Sequence, residues 1–197
     1  MKRLALFALF LASAAFGTTQ LVADLPALSQ SAALIVVGTV RACAPRLTLD
    51  GRRIITDTEI QVAEVLKGTA DGPTVVVMQP GGIVGDLGQK VEGTAHFTVG
   101  EEVVVFLDRR GADRFAVTAM AQGKFRIERS TDGKAIYAVP EGGGSSRLID
   151  PLTQQETQSP LKAMPLAELK LKIAAALAAP AAAPVEPTRP ILNRAGQ

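Results

Sequence analysis

The sequence predicts an all-β domain: a small closed or half-closed barrel of five to seven strands with one C-terminal helix. Two observations predict it. From Ala33 to Tyr137, short β-type runs alternate with Gly-, Asp- and Arg-rich turns, and no helical periodicity of comparable strength competes with them. The strands are uneven, with one very long, a wandering loop in the middle and a meander at the end, which suits a barrel better than a flat sandwich. Closure would also hide strand edges that an open sheet leaves exposed.

The first run, Ala33 to Val40, is continuously apolar, as expected of a strand buried on both faces. The turn Asp50-Gly51-Arg52 leads into Ile54 to Leu66, where Thr56, Thr58, Ile60 and Val62 share one face and Asp57, Glu59 and Gln61 the other. Lys67-Gly68 ends that strand. After a turn through Asp71-Gly72-Pro73, the β-branched run Thr74 to Gln79 makes a third. Pro80 to Gly93 carries glycine at 81, 82, 85, 88 and 93 and reads as an irregular excursion. Val103 to Leu107, Arg114 to Met120, Lys124 to Arg129 and Ala135 to Val139 complete the strands, the last two joined by the hairpin signal Thr131-Asp132-Gly133-Lys134.

Beyond residue 140 the β pattern stops, and residues 141–164, with three consecutive glycines after Glu141, read as a flexible link. Pro165 and the spacing of Leu166, Leu169, Ile173 and Leu177 predict a helix over 165–178 that packs on the barrel. Residues 179–197, rich in proline and alanine, cannot bury a core and are expected to be a disordered tail.

The chain begins with Lys2 and Arg3, an apolar run from Leu4 to Phe16 and small residues at Ala15 and Gly17, the pattern of a bacterial-type signal peptide over 1–17. The run is shorter than the roughly 20 residues a helix needs to span a bilayer. No cysteine lies just after it to carry a lipid anchor. The expected product is exported, periplasmic or extracellular, with no stable membrane insertion after cleavage. Removing Lys2 and Arg3 brings 21 basic residues level with 19 acidic ones, so the mature charge carries no nucleic-acid signature.

Cys43 and His96 are the only cysteine and histidine, so one chain can assemble neither a disulfide nor the usual zinc set. Cys43 is expected as a small, partly buried side chain and His96 as a loop residue. The glycine-rich segment lacks a Gly-Lys-Ser/Thr ending and a following helix, so it has no phosphate-loop mechanics. No serine sits in a nucleophile elbow. Asp57 and Glu59, about 7 Å apart on one strand face, approach the carboxylate spacing of glycoside hydrolysis but lack an aromatic platform or a buried acid. Arg109, Arg110 and Arg114, with Arg52 and Arg53, would form a basic patch if their two hairpins met. The aromatics beyond the leader (Phe97, Phe106, Phe115, Phe125 and Tyr137) mostly take core-facing positions, which argues against stacking on bases.

The phrases Ala33-Leu34-Ile35-Val36-Val37-Gly38-Thr39-Val40, Val62-Ala63-Glu64-Val65-Leu66-Lys67-Gly68 and Gly100-Glu101-Glu102-Val103-Val104-Val105-Phe106-Leu107 resemble the netrin-like module, which includes the tissue inhibitors of metalloproteinases. They are also similar to a group of uncharacterised secreted bacterial proteins. The resemblance spans about residues 33–107 and implies an OB-like, five-stranded barrel. It does not carry inhibition across: those inhibitors place a disulfide-held N-terminal cysteine on the catalytic zinc, whereas here the mature start falls near Thr18 and Cys43 has no partner. The scaffold and the idea of a secreted protein-binding module remain.

The resulting expectation is an exported, non-enzymatic binding or protein-interaction module without a cofactor or metal. Its contact site is expected on Gly81, Gly82, Ile83, Val84, Gly85 and Leu87, and its partner is an exported protein such as a protease rather than nucleic acid. An accessory or inhibitor of an exported metalloprotease is the second reading, and a hydrolase using Asp57 and Glu59 the third.

Overall fold

The computed structural model describes residues 18–111, 113–142 and 146–180. The expected signal peptide, the middle of the glycine link and nearly all of the Pro/Ala-rich tail lie outside the described residues. The chain opens with strand β1 (Thr19–Leu21) and helix α1 (Leu25–Ser31), followed by β2 (Leu34–Leu47), β3 (Ile54–Lys67) and β4 (Thr74–Pro80). A hairpin of β5 (Gly82–Val84) and β6 (Leu87–Gln89) comes next. A long loop then leads to β7 (Glu102–Arg109), β8 (Arg114–Val117), a 3-10 turn (Met120–Gly123), β9 (Lys124–Arg129) and β10 (Ile136–Pro140). β11 (Arg147–Ile149), β12 (Glu156–Thr157), β13 (Met164–Pro165) and helix α2 (Leu166–Ala178) complete it.

Five strands close into a barrel in the order β7-β2-β3-β4-β8, and β8 returns to β7. All neighbours are antiparallel except β4 and β8, which pair in parallel through Val76–Arg114 and Val77–Phe115. The fourth and fifth strands therefore exchange places relative to a simple meander, the Greek-key closure of an OB-like barrel. β7 divides one of its edges: Val103–Val105 bond β9, and Leu107–Arg109 bond β8. The first group thereby anchors a wing of β9, β10 and β13 outside the barrel. Register shifts in the β2–β3 ladder, such as the one between Val40 and Ala42, bend the two long strands as a small barrel requires.

Side-chain alternation sorts the apolar residues into two layers. Leu34, Val36 and Val40 of β2 meet Val103, Val105 and Leu107 of β7 inside the barrel, with Ile60, Val77 and Phe115. The intervening Ile35, Val37, Val104 and Phe106 face outward and are covered by Leu28 of α1 and Leu169 and Ile173 of α2. Strands buried on both faces must be apolar at every position, which accounts for the unbroken runs of the sequence. Phe106 and Phe125 meet with ring centroids 5.9 Å apart beneath the helices. Each such fully buried side chain contributes about 1.5–3 kcal/mol.

Several local expectations need correction. β2 does not end at Val40 but continues through Leu47, because β3 is long enough to pair with it throughout. The excursion after Pro80 contains the β5–β6 hairpin rather than irregular chain. The segment expected as a link carries β11, β12 and β13; β11 pairs in parallel with β1. Helix α1 was not anticipated, although Asp24 accepts a 2.8 Å bond from the Ala27 amide as its N-cap and a proline opens its first turn. Lys67 closes the other end of α1, donating to the carbonyls of Ser29 (2.9 Å) and Gln30 (2.8 Å). The C-terminal helix lies where the spacing places it, with Leu169, Ile173 and Ala176 buried.

Candidate functional site

One end of the barrel opens into a cleft of about 890 Å³. Its floor is the inward face of β2 and β3, where Cys43, Pro45, Thr56 and Thr58 project, and its roof is the β5–β6 hairpin with the loop that follows. The alternation legible in β3 is what turns Thr56 and Thr58 toward this space.

Short polar bonds hold the roof at its distance. Thr56 Oγ1 donates to the Gly81 carbonyl at 2.7 Å, and the Ile54 amide donates to Gln89 Oε1 at 2.7 Å, tying the two ends of the hairpin to the start of β3. Gln79, buried at the end of β4, donates to the Ala95 carbonyl at 2.7 Å. Gly82 lets the hairpin cross the floor closely: its φ is 134°, and a Cβ there would stand 2.6 Å from Thr56 Oγ1 and 3.0 Å from Pro45 Cβ. Gly85, at φ 58°, occupies the first turn position, which a II′ hairpin reserves for glycine.

The far side of the roof hangs on Lys124. Its side chain is 3% exposed and its Nζ lies 2.9 Å from Glu101, 3.2 Å from Glu141 and 4.7 Å from the centroid of the Phe97 ring. The same ammonium donates to the His96 carbonyl, while the His96 amide donates to Glu141 Oε1 at 2.7 Å. One buried cation thus fastens the loop around residues 96–101 to β9 and to the end of β10. The His96 ring is exposed, so the loop position expected for it is the observed one.

Of the residues expected to form the contact site, Gly81, Gly82 and Ile83 line the cleft. Gly85 forms the hairpin tip, and Val84 is half-buried beside it. Ile83 is 70% exposed and Leu87 60%. Lys124, Gln79, Gln89 and Cys43 are site residues that the sequence pattern does not mark. Cys43 is half-buried, as expected of it; nothing in the local sequence marks the other three as structural ties.

Asp57 and Glu59 share the outer face of β3, away from the cleft. Asp57 accepts from Arg46 Nε at 2.8 Å and from Arg114 at 2.8 Å on both oxygens. Burial pushes its carboxyl up, but hydrogen bonds and charge from the two guanidinium groups outweigh that and hold it below the usual carboxylate range. Asp57 therefore carries no proton to donate at neutral pH, and Glu59 is exposed. The arginines do not gather into one patch: Arg109 lies beside Asp71, near the turn into β4, Arg114 is paired with Asp57, and Arg52 and Arg53 occupy the turn before β3, at the end opposite Arg109. All four phenylalanines of the described chain are buried, and Tyr137 is the exposed aromatic among the described residues. Among those residues no group of three His, Cys, Asp or Glu side chains is placed to hold a metal ion, and no helix is long and apolar enough to cross a membrane.

The closure and strand order define the class of this molecule: an OB-like five-stranded barrel with an outer sheet and helix layer. No protein-family model matches the sequence, and no curated protein matches it.

Proposed function

We propose that the protein is an exported, non-enzymatic module that binds another protein in the cleft at the open end of its barrel. The observation that carries this reading is the hairpin roof: it is fixed to the barrel by Thr56 and Gln89, yet it presents Ile83 and Leu87 to solvent beside a wide cleft. Rigidly held apolar side chains beside a concave surface are features of interaction sites. Loops and hairpins on rigid barrels are also where binding commonly resides. Three polar side chains of the cleft act as ties: Gln79, Thr56 and Gln89 each hold a backbone group of the barrel or its roof.

The test is affinity purification of the mature chain, residues 18–197, from its own cell envelope and culture medium, beside the double variant Ile83→Asp/Leu87→Asp. The expected result is one dominant co-purifying protein that the variant loses while its circular dichroism and melting temperature stay unchanged. An identical set of co-purifying proteins for both, or none for either, would overturn the reading. A captured protease would call for an inhibition assay at stoichiometric concentration.

A further inference from the structure

We propose that the free edge of β2, from Cys43 to Leu47, receives an extended acidic segment of the partner as an added strand; this rests on the cleft being a protein-binding site. β2 has two neighbours for only part of its length. It pairs with β7 through Leu34–Thr39, and the last bonds on that side join Val40 to Glu101 and Gly100, each at 2.9 Å. On the other side β3 accompanies it to Leu47.

The phase of the β2–β3 ladder decides which backbone groups are left over. The Thr48 amide donates to the Arg53 carbonyl at 2.8 Å, and two-residue alternation from there turns Arg46 and Ala44 toward their partners Ile55 and Asp57. The amides of Cys43 and Leu47 and the carbonyls of Cys43, Pro45 and Leu47 then point away from β3, and no described group bonds them. Pro45 stands where its missing N–H faces this edge, as proline in a strand must. The side chains of Cys43 and Pro45 line the cleft, so a strand laid along this edge runs along the cleft's rim and can place alternate side chains inside it.

Charge selects the occupant. Residues 41–57 hold four arginines against two aspartates. Asp57 is engaged by Arg46 and Arg114, while Arg41, Arg52 and Arg53 are exposed. A second copy added about a two-fold axis at Pro45 would set two prolines opposite each other, losing a bond from each, and would bring two arginine-rich arms together. A different chain with acidic side chains avoids both penalties.

The probe is a synthetic nonapeptide of alternating valine and glutamate, compared with one N-methylated at alternate residues and one of valine and lysine. Titration onto the full mature chain is paired with amide hydrogen exchange at Cys43 and Leu47. The acidic peptide is expected to bind with a Kd below about 1 mM and to slow exchange at both amides. N-methylation, the lysine version and Leu47→Pro should each weaken binding ~10-fold or more. Leu47→Pro removes an edge donor that the β3 ladder does not use. Pro45→Val restores a donor and should tighten binding, and it keeps the test valid should the new proline perturb folding. Absent binding, or binding indifferent to N-methylation and Pro45→Val, overturns the proposal. If Ile83→Asp/Leu87→Asp abolishes partner capture but Leu47→Pro does not, the cleft stands and the added strand falls.

Discussion

β2 is two structures in one strand. Its first half, Leu34 to Val40, is buried at nearly every position, paired on both edges and packed on both faces, by the barrel interior on one and by α1 and α2 on the other. Its second half, Arg41 to Leu47, has exposed or half-buried residues throughout and one partner strand. The first half is tied into the fold by burial, the second by the β3 ladder, the Arg46–Asp57 ion pair and the close approach of Gly82 to Pro45, and the cleft is built against the second. The proposed binding surface needs backbone and side chains that the core has not already engaged, and it needs a rigid base to hold them. β2 supplies both within one continuous element.

The sharpest way to break this contrast is on the buried side. Phe106→Ala empties the layer between β7 and the helices and should cost about 3–5 kcal/mol in urea unfolding. Lys124→Met, near the junction of the halves where Glu101 receives the Val40 amide, leaves Glu101 and Glu141 without their cation. It should cost about 3 kcal/mol and make the loop around residues 96–101 the first site of limited proteolysis.

Gly82→Val drives a side chain into Thr56 and Pro45 and imposes a φ that a β-branched residue resists. The expected loss is about 1–3 kcal/mol, with ligand binding impaired beyond what the stability change explains. Asp57→Asn tests the outer face of the β2–β3 ladder and should cost about 1 kcal/mol or less at neutral pH. Because the folded-state carboxyl of Asp57 lies below its unfolded value, its contribution is present above the ordinary aspartate value of about 3.9 and is lost as pH falls through the folded value. The acid limb of the stability–pH curve should therefore be flatter in Asp57→Asn than in the parent. Leu47→Ala, on the exposed half, should change stability by no more than about 0.5 kcal/mol, which thermal melts would check directly.

Much of the barrel was legible because its causes are local. Unbroken apolar runs report strands covered on both faces, alternation in β3 reports one wet face, and Thr131 to Lys134 carries a hairpin signal that the structure realises with Ser130 and Ala135 bonded at 2.9 Å. The elements that went unread were short. α1 has seven residues, and β11 to β13 have two or three each, too few to display a period. The glycines of the excursion are visible in the sequence, but the β5–β6 hairpin between them is held by the bonds that Ile54 and Thr56, at the start of β3, make to Gln89 and Gly81, a contact across the chain.

The site was legible only in part for the same reason. Ile83 and Leu87 stand out as apolar residues in a glycine-rich loop, whereas Lys124 looks like an ordinary surface lysine until Glu101, Glu141 and the Phe97 ring are brought around it. Asp57 and Glu59 looked like a carboxylate pair until Arg46 and Arg114 closed on Asp57.

By itself the sequence determined the class of fold, the order of its main strands and the C-terminal helix, because periodicity and turn chemistry act between residues close in the chain. Only the tertiary structure decided where the barrel closes, which half of β2 keeps a free edge, and which charged groups become ties rather than reagents. Those outcomes depend on partners many residues apart, whose meeting is set by packing of the whole chain.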